Sequence, residues 1–217
     1  MKTLTILSLP LFLLFMPAEA QHAPHTLGWF PGIVILNNDE ILNGDINYDY
    51  ANDLVMCRQN DKIRTFGPQQ ASSFRYYNEE TNILHDYEVY AFQKNDYYEQ
   101  RGFFEIVLEG KVNYIRKRNR YPIYHTSEGY LSGRSFRTDP QVVAYDYFVE
   151  MNGKLVKARH FKKEVLPILI ANDQRILEFI KERRLRTYDI GDQIVLLNYH
   201  NSGGTNLTLH AISMKSN

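Results

Sequence analysis

The residues most able to do chemistry by type and spacing form the basic run Arg116-Lys117-Arg118-Asn119-Arg120, followed by Tyr121, Tyr124 and Tyr130. Cations interleaved with aromatic rings bind anionic polymers, the charges holding the backbone while the rings stack on bases or sugars. Arg116, Lys117, Arg118, Arg120, Tyr121 and Tyr124 are therefore the candidate binding residues, for an acidic polymer such as an acidic glycan. Lys and Arg on an outer strand also guard a sheet edge against aggregation, so a solvated edge is the plainer expectation for the same residues.

Carboxylates are the next candidates. Glu105 and Glu109 share a face if the segment is a strand, but at roughly 3.3 Å per residue they stand about 13 Å apart, too far for a glycosidase pair. A polar sheet face is expected there. Asp45, Asp49 and Asp53 lack the alternating spacing of a calcium loop and are expected to be solvated acids at strand ends. The seven histidines include one close pair, His22 and His25, which supplies only two ligands. No nucleophile elbow, phosphate loop or dinucleotide fingerprint occurs, so no catalytic residue, metal site or cofactor is expected. Cys57 is the only cysteine, lies in the apolar run Leu54-Val55-Met56-Cys57, and is expected to be a buried thiol.

Compartment bears on which partners are available. Lys2 precedes an apolar run from Leu4 to Met16 that ends in Ala18-Glu19-Ala20, the pattern of a secretory leader cleaved before Gln21. Export to the periplasm or beyond the cell is expected, with no transmembrane segment after cleavage. The chain of 217 residues carries 25 basic and 25 acidic side chains, and the leader takes one of each, Lys2 and Glu19. A balanced charge argues against nucleic acid as a partner. Sixteen tyrosines, among them Tyr76, Tyr77, Tyr87, Tyr90, Tyr97 and Tyr98, suit either a recognition surface or sheet packing.

The elements that must position these residues read as hairpins. Runs at 32–36 and 42–48 flank the turn Asn37-Asn38-Asp39-Glu40, and runs at 54–59 and 62–66 flank Asn60-Asp61. Gly67-Pro68 breaks the ladder, and residues 69–73 are expected to make a helical turn before a strand at 74–77. Further strands are expected at 87–93, 103–108 and 111–117, and Asn152-Gly153 joins 145–150 to 154–157. Residues 119–140 are irregular.

Beyond Arg159 the period becomes helical. Phe161, Val165 and Ile168 mark one face, Ile176, Leu177 and Ile180 follow the cap Asp173, and Ile190, Ile194 and Leu197 follow Asp189. Pro167 predicts a kink or a helix that starts after Phe161. The fold class is α+β: mainly antiparallel β-hairpins, as a sheet, sandwich or partly open barrel, then two or three C-terminal helices. The expected divisions are a leader at 1–20, a flexible segment at 21–27, a β-rich domain at 28–158, a helical cap at 159–201 and a loose tail at 202–217.

Gly32-Ile33-Val34-Ile35-Leu36, Gly44-Asp45-Ile46, Phe66-Gly67-Pro68 through Phe74, Gly110-Lys111-Val112-Asn113-Tyr114, and Asp189-Ile190 through Asn198-Tyr199-His200-Asn201 follow one another in this order. On these segments the chain resembles a group of exported proteins of unknown function from Bacteroidota-type bacteria. The resemblance implies a β-rich body closed by C-terminal helices and brings no activity with it. The expectation is an exported envelope protein that binds or assembles, its partner an envelope protein or a glycan. A glycan-active enzyme with carboxylates gathered by the fold is the alternative, and binding of an acidic polymer through Arg116 to Arg120 the third reading.

Overall fold

The computed structural model describes residues 28–95, 98–118 and 145–204. Ten strands form one antiparallel sheet: β1 (Phe30–Leu36), β2 (Ile41–Asp49), β3 (Leu54–Gln59), β4 (Lys62–Phe66), β5 (Ala71–Asn78), β6 (Ile83–Asn95), β7 (Tyr98–Leu108), β8 (Asn113–Arg118), β9 (Tyr145–Met151) and β10 (Lys154–Lys157). Their order is β10-β9-β8-β7-β6-β5-β1-β2-β3-β4. The turns have the expected chemistry: Asn60 and Asp61 take φ of 46° and 61°, and Asn152 and Gly153 take 54° and 77°, the positive values that a two-residue hairpin requires.

The sheet must curl. β4 and β5 lie four strand steps apart in the order, about 19 Å if the sheet were flat. Their link is a tight turn in which the amides of Gln70 and Ala71 both donate to the carbonyl of Gly67. A short folded turn cannot cross that distance, so β1 to β5 roll around a shared interior without closing into a barrel. Val34, Leu42, Ile46, Val55, Phe66, Phe74, Tyr87 and Phe103 fill that interior as one cluster. The turn also corrects the expected helical turn at 69–73. Ala71 already pairs with Leu36, so the strand begins there.

Five helical pieces cover the same face at the other end of the sheet. A 3₁₀ turn (Ala158–His160) and a π-helical turn (Phe161–Val165) lead into α1 (Leu166–Asn172), followed by α2 (Arg175–Arg183) and α3 (Ile190–Asn201). Pro167 falls in the first turn of α1, where its missing N–H costs nothing. Phe161, Val165, Leu169, Ile176 and Phe179 bury against Tyr114, Val149 and Val156. Ile168 and Leu177, expected on the inner face, are instead 41% and 44% exposed, and Leu169 and Phe179 take those places. Asp189 caps α3 by accepting from the Asp192 amide, and Asp173 accepts from the Arg175 amide ahead of α2.

Two side chains pin α3 to the sheet. Gln193 is 1% exposed, accepts from the Tyr114 hydroxyl at 2.9 Å, and donates to the carbonyls of Ala158 and Thr187. Asn201 accepts from the Val112 amide at 3.0 Å and donates to the Val112 carbonyl at 2.9 Å, as a strand residue would. A β-carbon on Gly110 would occupy the space of the Asn201 side chain, so glycine is required beside it. Among the described residues no helix is long and apolar enough to cross a membrane.

Candidate functional site

β8 is an interior strand, paired with β7 on one side and β9 on the other. This corrects the expectation of a solvated edge. Strand alternation sends Arg116 and Arg118 to the inner face, with Tyr114, and Lys117 to the outer face, with Ile115. The basic run is therefore split between two surfaces. Arg120, Tyr121 and Tyr124 lie outside the described residues, as do residues 1–27, with the expected leader, His22 and His25, and residues 205–217.

On the inner face Arg116 stands directly opposite Glu105 of β7. Its Nε donates to Glu105 Oε2 at 2.7 Å and its Nη2 to Oε1 at 2.8 Å, a two-pronged ion pair. His85 of β6 places Nδ1 2.7 Å from the same Oε1. The Glu105 side chain is only 7% exposed, so where a polar sheet face is expected it is a buried, paired carboxylate. Burial pushes its carboxyl up, but the hydrogen bonds from His85 and Arg116, with the charge of Arg116, outweigh this and hold it below the usual carboxylate range. Desolvation likewise works against the Arg116 charge and is outweighed by Glu105, which raises the guanidinium above its ordinary value.

Aromatic rings close the cluster. The Tyr145 ring lies 4.2 Å under the Arg116 guanidinium, and Tyr76 stacks on His85 with centroids 4.8 Å apart. Burial raises the phenols of Tyr76, Tyr87 and Tyr145, so they stay protonated at neutral pH. Chemically this is a carboxylate held ionised at neutral pH with both oxygens engaged. A general acid needs a raised carboxyl, and a general base needs a free oxygen facing substrate. Glu105 has neither.

On the outer face Lys117 Nζ lies 2.8 Å from Asp53 Oδ2 and donates to the Phe103 carbonyl at 3.1 Å. Asp53, at the β2–β3 turn with φ of 58°, also accepts at Oδ1 from the Tyr48 hydroxyl at 2.7 Å and the Phe103 amide at 3.4 Å. It is thus a partly buried, paired acid rather than a solvated strand-end one. Arg118 sits 4.1 Å over the Tyr50 ring on that same turn. The three described cations of the run all contact the protein itself. Cys57 is 2% exposed, as expected, and burial raises its thiol. No group of three or more metal-ligating side chains occurs among the described residues.

Sequence reasoning missed Glu105 and His85 as partners of Arg116. One signal was present: Glu105 interrupts the apolar run Phe103-Phe104-Glu105-Ile106-Val107-Leu108, where a carboxylate must be paired or exposed. A second feature emerges only from the register. The outer face of β1 to β6 leaves Ile41 57%, Leu84 57%, Ile63 55% and Tyr77 38% exposed. Leu84 and Tyr77 stand directly opposite each other and form an exposed cross-strand pair, whereas Ile41 faces the half-buried Ile35 and Ile63 faces Arg58. The helices lie against the opposite face at the far end of the sheet.

No protein-family model, no curated protein and no solved structure matches this chain.

Proposed function

We propose that the protein is an exported component of the cell envelope that works by binding or assembly rather than by catalysis. The observation that carries this reading is the outer sheet face, where Leu84 and Tyr77 stand exposed side by side and Ile41 and Ile63 are exposed farther along the sheet. Adjoining exposed apolar side chains, as Leu84 and Tyr77 are across β5 and β6, are the kind of feature that marks a contact surface. The commitment of Glu105 to Arg116 and His85 supports the same reading, because it removes the most buried carboxylate among the described residues from service as a catalytic acid. The acidic-polymer reading is weakened by the ion pairs that engage Arg116 and Lys117. Export rests on the leader pattern in the sequence.

The test is photo-crosslinking from the outer face in the native envelope, comparing the wild-type chain with an Ile41→Asp/Leu84→Asp variant of equal thermal stability. Crosslinks to one protein partner that map to this face and vanish in the variant are the expected result. A glycan array run in parallel addresses the alternatives: glycan binding that the variant retains, with no protein crosslink, would overturn the assembly reading.

A further inference from the structure

We propose that Lys117 and Asp53 condense into an intramolecular amide bond that staples the β2–β3 turn to β8. Their nitrogen and oxygen lie 2.8 Å apart, with side chains only 20% and 15% exposed. The surroundings favour this over an ordinary ion pair. Lys117 Nζ packs 5.0 Å from the Phe104 ring and 5.5 Å from the Phe92 ring, and a β-carbon on Gly102 would come within 2.7 Å of Nζ and 2.8 Å of Asp53 Oδ2. The pair is thus enclosed by two rings and a glycine that leaves just enough room for it. Burial pushes the Lys117 ammonium below the usual lysine range, against the opposing pull of Asp53, which favours the neutral amine that must act as nucleophile.

The donors around Asp53 are arranged for the reaction. Oδ2 faces the amine, while Oδ1 accepts from the Tyr48 hydroxyl and the Phe103 amide. Proton transfer within the pair converts ammonium and carboxylate to amine and carboxylic acid. The nitrogen lone pair then attacks Cγ, forming the C–N bond and placing negative charge on Oδ1, where the Tyr48 hydroxyl and Phe103 N–H stabilise it as an oxyanion hole does. Collapse breaks the bond from Cγ to Oδ2, which takes a second proton from the nitrogen and leaves as water. One hydrogen stays on the amide. No oxidant or cofactor enters. Holding both groups in contact supplies the high effective concentration that an amine and an acid lack in free solution. The remaining lysine ion pair among the described residues, Lys154 with Glu164, is 3.8 Å long with Lys154 75% exposed, and it has none of these features.

Intact mass spectrometry and peptide mapping of the purified full chain test this. The wild type is expected to weigh one water less than its sequence and to yield a branched tryptic peptide joining the segments that contain Asp53 and Lys117. Lys117→Arg, which keeps a cation but has no nucleophilic amine, is expected to show the unreduced mass and linear peptides, with circular dichroism used to verify that the variant is folded. Tyr48→Phe is expected to form the bond more slowly, read as a growing branched fraction during incubation at neutral pH. Wild-type protein of unreduced mass that trypsin cleaves after Lys117, before and after incubation, overturns the proposal.

Discussion

Replacing Glu105 by glutamine keeps the side chain's shape and removes the charge that Arg116 and His85 face. Removing one partner of a buried ion pair costs about 3–5 kcal/mol, because the other charge is left uncompensated. Arg116 keeps 23% exposure and the face of Tyr145, which recover part of this, so the expected loss is about 2–3 kcal/mol. For a chain of this length that corresponds to a fall in Tm of roughly 4–12 °C. A Glu105→Leu/Arg116→Leu double variant should lose less than Glu105→Gln, since no charge is then buried alone. The pH dependence gives the sign. Burial raises the Glu105 carboxyl, but its hydrogen bonds to His85 and Arg116 and the Arg116 charge bring it below the ordinary value. Its contribution is therefore complete above the unfolded carboxyl pKa of about 4.3 and disappears as pH falls through the lower folded value. Thermal unfolding followed by circular dichroism should show the gap between wild type and Glu105→Gln closing in acid. An equal gap at neutral and acid pH, or no gap at all, would refute the reasoning.

Asn201→Ala removes both bonds to Val112 and should cost about 1–3 kcal/mol, with hydrogen exchange at the Val112 amide accelerated more than exchange in β2 or β5. Unchanged exchange at Val112 would show that α3 is held by its apolar face alone. Cys57, buried with its thiol raised by desolvation, should resist an alkylating reagent at neutral pH in the native protein and react on unfolding. Native labelling at the unfolded rate would place the thiol at the surface.

The parts of the fold legible in the sequence were those fixed locally. Asn60-Asp61 and Asn152-Gly153 specify hairpins because their positive φ is cheap for these residues, and Asp189 announces α3 because its carboxylate accepts from a nearby helical amide. The inward faces of the helices were displaced in places: Leu169 is buried where Ile168 was expected, because the π-helical turn ahead of α1 sets the phase of the apolar stripe. The curl of β1 to β5 could not be read from strand patterns, which are the same in a flat sheet and a rolled one. It follows from a contradiction between strand order and link length, and strand order is a long-range fact.

The basic run shows why the site was less legible than the strands around it. A row of cations in sequence looks like one charged surface, but in a strand it is two, and register decides what each meets. With Glu105 opposite Arg116, the inner face receives Arg116 and Arg118 and the outer face receives Lys117. Slipping β8 by one residue against β7 would turn Lys117 toward the inner face and leave Asp53 without its partner, while Arg116 would meet the rings of Phe92 and Phe104 with no carboxylate beside it. The carboxylates Glu105 and Asp53 thus act with the run as a register key, one for each face. Arg116 and Lys117 are where they are for the sheet's sake, and the proposed contact surface is to be sought elsewhere, around the adjoining Tyr77 and Leu84.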